Sequence, residues 1–336
     1  MNLSEKANEL IKSATKGKDH IKVTVGVFHE GETSFKLFDK EGEIPYVSYL
    51  YEMGSVGKTL TTSLLAKYVN TGQMNLETSV AKYIPELADD NKYYPTLKRL
   101  ATHTAGYPTR YPMSKSDIFK IVFRQIGRKP VNASHYLTMD HEKMIRLAQE
   151  SKIQDKDYKW EYSNFGIALL GTAVSNVAGE SFWDLMTDFL DQDLGLKDSF
   201  LGIDNRDNLL TGYDMKNRDM GNWSADADEL VVAAGASMIS NAEDLLEFAR
   251  LNIEENPDYL KLCHVRYDMN SKHSDMGLGW WIDKKNPNIY YHGGNTAGFA
   301  SLLAFDKKKK SAVVILTNVV YYKEREQLFA DILKNL

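Results

Sequence analysis

The chain has 336 residues, 43% hydrophobic and 26% charged, with a formal net charge of −5 at pH 7. A length of this order buries roughly three quarters of the unfolded surface, in one large domain or two interleaved subdomains, and the composition is ordinary for a globular protein. The acidic balance excludes a general attraction to nucleic acid or anionic membrane, and the single cysteine, Cys263, excludes an intramolecular disulfide.

From the N-terminus, Met1-Asn2-Leu3-Ser4-Glu5-Lys6 mixes charge with apolar residues and lacks the apolar run of a signal peptide. No later stretch reaches the ~18 apolar residues of a membrane span. A cytoplasmic location is the expectation, or an extracytoplasmic one if a leader was removed.

The patterns predict a short helix at about Leu3 to Ser13 and a period-two strand from Ile21 to Phe28. Gly31 turns the chain into a second strand, Thr33 to Phe38, and Tyr46 to Tyr51 is a third apolar stretch. From Lys58 to Val69, Leu60, Leu64, Leu65 and Val69 fall at helical spacing, and Thr71-Gly72 ends the segment. Helical stretches then alternate with polar loops: Leu97 to Thr102, Asp117 to Ile126, Asp140 to Gln149, Phe165 to Val177 and Phe182 to Leu190. Strands return at Gly277 to Ile282, Asn288 to His292, Thr296 to Phe305 and Ser311 to Thr317, before a helix from about Tyr322 to Leu336.

Both chain ends thus carry the sheet and the middle carries helices. The expected fold is α/β (α+β): a mainly antiparallel sheet flanked by helices, about 1–75 and 231–336, with an inserted all-helical subdomain at about 76–230. Lys307 to Lys310, between two apolar alternations, reads as a solvated hairpin tip.

The stretch with chemistry in it is Glu52-Met53-Gly54-Ser55-Val56-Gly57-Lys58-Thr59. Three residues make about one helical turn, so Ser55 and Lys58 share a face and the amine reaches the hydroxyl. A hydroxyl needs an adjacent base to become a nucleophile, and a helix N-terminus favours developing negative charge. Gly57-Lys58-Thr59 also imitates the end of a phosphate-binding loop, but that loop needs glycine where Glu52 stands. Its acidic partner strand would be Leu302 to Asp306, which runs straight into the lysine turn.

The eight histidines include no H-E-x-x-H, and the nearest pair, His135 and His141, is six residues apart. No metal and no cofactor is implied. Cys263 reads as an incidental half-buried cysteine, and Trp280 and Trp281 as a core and face pair.

Two further clusters bear on Ser55 and Lys58. One is Trp160-Glu161-Tyr162-Ser163-Asn164-Phe165-Gly166, just before an apolar helix; the other is Tyr291-His292-Gly293-Gly294-Asn295-Thr296-Ala297-Gly298 on a late strand. With Ser55-x-x-Lys58 they resemble, in kind and order, the three elements of the serine β-lactamase and penicillin-binding-protein superfamily. Tyr162-Ser163-Asn164 makes the chain most similar to the class C β-lactamase branch, with its D,D-peptidase, D-aminopeptidase and esterase relatives. Supporting stretches are Leu100 to Gly106, Ala233 to Ser240 and Gly277 to Trp280.

The resemblance implies that Ser55 is acylated, that Lys58 is its base and that Tyr162 carries the proton to the leaving group. Asn164 would bond Lys58 and a substrate amide, and the backbone N–H groups of Ser55 and Asn295 would form the oxyanion hole. His103 is expected to brace a loop. The departure is His292-Gly293-Gly294, where much of the superfamily has Lys-Thr-Gly; a histidine is only partly charged near pH 7 and Gly293 has no hydroxyl. That weakens recognition of a free substrate carboxylate and leaves hydrolysis untouched.

The expected function is a serine hydrolase cutting an amide or ester: a peptide with a D-residue, a β-lactam, or a small ester. The expected partner is that small-molecule or peptide substrate, with no nucleic acid and no membrane span, and the oligomeric state is left open. The competing readings are a penicillin-binding-type sensor acylated without turnover, and a nucleotide hydrolase.

Overall fold

The computed structural model describes residues 5–89, 91–109, 140–202, 206–222 and 238–320, together with 327, 328 and 331. The helix expected at Asp117 to Ile126, residues 233–237 of the Ala233 stretch, and most of the helix expected from Tyr322 lie outside the described residues.

The strands, in chain order, are β1 (Val23–His29), β2 (Glu32–Asp39), β3 (Gly42–Ile44), β4 (Tyr51–Glu52), β5 (Phe200–Leu201), β6 (Gly212–Tyr213), β7 (Asp219–Gly221), β8 (Met238–Ser240), β9 (Ser274–Met276), β10 (Trp281–Asp283), β11 (Ile289–Asn295), β12 (Ala300–Asp306) and β13 (Ser311–Thr317). The helices are α1 (Glu5–Thr15), α2 (Gly57–Asn70), α3 (Leu97–Ala101), α4 (His141–Glu150), α5 (Asn164–Ala178), α6 (Phe182–Asp188) and α7 (Ala242–Glu254).

Eight strands form one antiparallel sheet in the order β3-β2-β1-β13-β12-β11-β10-β9. Its centre joins the two ends of the chain: β1 lies beside β13, with Val23 opposite Thr317 and His29 opposite Ser311. Strands β12 and β13 are buried at every position because both faces are covered. Leu303, Phe305, Val314 and Leu316 face the large core that holds α2, α5 and α7. Their alternates Leu302, Ala304, Val313 and Ile315 pack with Ala7 and Ile11 of α1. The Lys307 to Lys310 run is the tip between these strands, and Asp306 accepts the N–H groups of Lys308 and Lys309 at 2.8 and 2.9 Å. That carboxylate is therefore spent on a turn, which removes the acidic strand of the nucleotide-binding reading.

Helix α2 is buried from Gly57 through Ala66. A helix enclosed on all sides has no polar stripe; its hydroxyls turn back onto its own carbonyls, as Thr59 does to Val56 (2.7 Å) and Ser63 to Thr59 (2.8 Å). Most other helices begin on a side-chain cap, such as Asp140 on Lys143 N–H (2.7 Å) and Ser163 on Gly166 N–H (3.1 Å). Helix α2 has no such cap.

Three expectations change. The stretch Gly277 to Ile282 is not one strand: Gly277 N–H donates to Trp280 O at 2.7 Å, so its first four residues are the turn between β9, which ends at Met276, and β10, which begins at Trp281 and pairs with β9. The Tyr46 to Tyr51 stretch contributes only β4, which joins β8 and β5 in a separate three-stranded sheet. The middle region is not all helix, since β5, β6 and β7 lie within it. Pairs and triplets of residues are too short for period two to reveal. Among the described residues no helix is long and apolar enough to cross a membrane.

Candidate active site

Ser55 does not sit on α2 itself but in the single 3-10 turn Gly54–Val56 that connects β4 to it. The turn is pinned on two sides. Met53 N–H donates to Met238 O at 2.9 Å, and Ser301 Oγ donates to Met53 O at 2.5 Å. Strand β11 closes directly over it. Gly54 has φ 52°, and a Cβ there would lie 2.7 Å from Asn295 N. A Cβ on Gly294 would lie 2.0 Å from Met53 O and 2.8 Å from Ser55 N. Glycine at both positions is what lets the turn and the strand meet backbone to backbone.

Lys58, the second residue of α2, is fully buried, and its Nζ donates to Ser55 Oγ at 2.9 Å. Burial disfavours the ammonium form and lowers its pKa to about 7. Tyr162 shares a hydrogen bond with Ser55; burial raises its pKa while that bond lowers it, leaving it a neutral phenol at neutral pH. The Lys58 amine lies 5.1 Å from the Tyr162 ring centre. Hydroxyl, amine and phenol, 107 residues apart between Ser55 and Tyr162, thus converge.

Tyr162 arrives on the extended segment before α5, whose cap is Ser163; Asn164, half-buried, is the first residue of that helix. His292 is buried on β11, its ring 6.4 Å from that of Tyr162, and its Nδ1–H donates to Gly293 O at 2.8 Å. Gly293 and Asn295 alternate with it on the same strand, Asn295 opposite Ala300. All eight residues expected at the site therefore lie on the 3-10 turn and α2, the α5 entry, or β11.

What the motifs did not reveal is the support from Ser301 and the positive φ of Gly54; Met238 lies in the supporting stretch Ala233 to Ser240. Ser301 sits in an apolar strand where a lone serine gives no signal. Trp280 is fully buried and Trp281 half-buried, the core and face pair expected. Cys263 is fully buried rather than half-buried, with its thiol pushed up to about 12 by burial, which makes it inert. No group of three or more His, Cys, Asp or Glu side chains that could hold a metal ion occurs among the described residues.

An amine that is half neutral near pH 7, set 2.9 Å from a hydroxyl, can take its proton; backbone N–H groups and a phenol stand beside it. Fold and family together define a serine hydrolase. The chain belongs to the beta-lactamase family, whose model matches residues 7–334. It is similar to a beta-lactamase of Pseudomonas fluorescens, 24% identical over 271 residues that cover 77% of this chain and 68% of that one. A beta-lactamase of Providencia stuartii is 25% identical over 231 residues, 68% of this chain and 52% of that one. The chain thus spans between about half and two thirds of the length of these relatives. A beta-lactamase/D-alanine carboxypeptidase from Pseudomonas syringae superposes with a TM-score of 0.79 over 98% of both chains at 18% identity, a likeness of fold.

Proposed function

We propose that the chain hydrolyses an amide or ester through an acyl-enzyme on Ser55. Lys58, as the neutral amine, takes the Ser55 proton while Oγ attacks the substrate carbonyl, and the N–H groups of Ser55 and Asn295 receive the oxyanion. Collapse of the tetrahedral adduct expels the leaving group, which takes a proton delivered through Tyr162. Water then attacks the ester with Lys58 and Tyr162 accepting its proton, and acid and free Ser55 are released.

The observation that carries this reading is the 2.9 Å contact between Ser55 and a buried lysine drawn down to about 7. A lysine at its reference pKa of about 10.4 would be protonated and useless as a base. Substrate preference follows from the third element: His292 stands where a permanent cation would recruit a carboxylate. We place amides of D-residue peptides first, β-lactams second and small esters third.

The test is a panel on wild type and Ser55→Ala: D-aminoacyl amides, D-Ala-D-Ala peptides, a chromogenic cephalosporin and nitrophenyl esters, with intact-mass detection of the acyl group. Hydrolysis by Ser55→Ala at the wild-type rate would overturn the reading. A stoichiometric mass gain with no turnover would transfer the protein to the sensor class.

A further inference from the structure

Residues 161–163 form the segment that delivers Tyr162, and one residue of the preceding loop holds all three. His103 O accepts Glu161 N–H at 2.9 Å, and His103 Nδ1 accepts Ser163 N–H at 3.2 Å. Between these two bonds the imidazole lies against the Tyr162 ring, centroids 4.5 Å apart, and its other neighbour is Trp160 at 6.2 Å. In extended chain, N–H groups two residues apart point the same way, so a single partner can take both. Ser163 in turn caps α5 and donates Oγ to Pro108 O at 3.2 Å, so the backbone just after Tyr162 is tied in three directions.

His103 is also an uncomfortable residue. It is 1% exposed, has φ 57°, a left-handed backbone uncommon outside glycine, and its Nε2 has no hydrogen-bond partner among the described residues. An asparagine would occupy that backbone with less strain and could still accept a hydrogen bond. Since Nδ1 is an acceptor here, the proton sits on Nε2 and the ring is neutral. Burial and the nearby Lys58 and His292 hold its pKa well below the usual imidazole value, which keeps that lone pair available. Departures from local preference that gather on one buried residue mark a task beyond bracing a loop.

We infer that His103 is a positioning residue for the acyl-transfer step: its carbonyl and Nδ1 clamp the backbone on either side of Tyr162, and its ring fixes the direction of the phenol toward Ser55. This rests on the reading of Tyr162 as proton carrier.

The test compares His103→Gly, which suits φ 57° but has neither acceptor nor ring, with His103→Asn, which restores an acceptor. Fluorophosphonate titration counts competent Ser55 sites, and p-nitrophenyl acetate hydrolysis gives kcat per titrated site; melting curves report folding. His103→Gly is expected to lose about 100-fold in kcat per site with KM within about threefold, the scale of a misplaced group. His103→Asn should recover at least about tenfold of that loss, as a restored hydrogen bond allows. A purely structural role would instead lower the number of titrated sites and the Tm while leaving kcat per site unchanged, and that result overturns the inference; so does Asn failing to recover over Gly. Ser55→Ala is run alongside: if it hydrolyses the ester, the reading of the site fails rather than the clamp.

Discussion

His264 and His103 are both buried and both drawn below the usual imidazole pKa by burial, but their surroundings treat them differently. His264 donates Nε2–H to Asn252 Oδ1 at 3.0 Å, its Nδ1 lies 3.2 Å from Glu255 Oε1, and its ring sits tilted against that of Tyr290; its pKa falls to about 4. Glu255 is tied to Lys307 at 2.5 Å, and Asn252 donates its amide to Phe248 O at 2.8 Å. Asn252 and Glu255 each have a second partner besides the imidazole, so the corner is held mainly by its own members. Around Ser55 the balance is otherwise: a lysine enclosed by burial, a helix without a cap, and an imidazole N–H without a partner among the described residues. The first arrangement holds the fold together, and the second holds groups in readiness at a cost the rest of the core offsets.

The contrast breaks most sharply at Ser55. Ser55→Ala is expected to lower hydrolysis on the order of 10⁴-fold or more and abolish fluorophosphonate labelling, with the melting temperature nearly unchanged. Survival of activity would put the chemistry elsewhere.

Lys58→Met should cost on the order of 10³-fold in kcat/KM, yet stabilise the fold. The sign follows from the lowered pKa. Between about 7 and the ordinary lysine value of 10.5 the unfolded chain keeps the Lys58 proton and the folded chain has lost it, so folding is favoured as pH rises through that window. Below about 7 both states are protonated and the folded state bears the full penalty. Urea unfolding should therefore show Lys58→Met more stable than wild type at pH 7, with the gap closing toward pH 10. For the same reason wild-type kcat/KM should fall as pH drops through about 7. A profile flat down to pH 5 would exclude Lys58 as the base.

Gly294→Ala places a methyl 2.0 Å from Met53 O and 2.5 Å from Ser301 Oγ, so β11 must move off the Ser55 turn. A loss of about 10²- to 10³-fold in kcat is expected, the scale of a disturbed oxyanion donor, and intact-mass acylation rates would measure it.

The smallest effect on catalysis belongs to the satisfied corner. His264→Leu leaves Asn252 Oδ1 buried without its donor, which destabilises by about 1–3 kcal/mol in urea unfolding. Its kcat per titrated site should equal that of wild type, and a fall would show that the two regions are coupled.

The sequence by itself determined what lies within one turn or one alternation. Ser55 and Lys58 are three residues apart and meet through local geometry. The apolar runs of β12 and β13, with a lysine run between, specify a hairpin without help from the rest of the chain. Order along the chain likewise supplied the Tyr162 and His292 elements, because each stands beside recognisable helix or strand signals.

Only the tertiary structure decided the state of those groups. The pKa of Lys58 depends on α2 being enclosed on every side, and desolvation is a sum over residues from the whole chain. The short strands β4, β5 and β8 form their sheet through partners distant in sequence, which no local period records. Whether Tyr162 meets Ser55, and what holds it there, depends on His103 reaching across 60 residues to the segment around it. Spacing in the chain can bring two side chains together across one helical turn; bringing three together, dry and correctly protonated, takes the folded core.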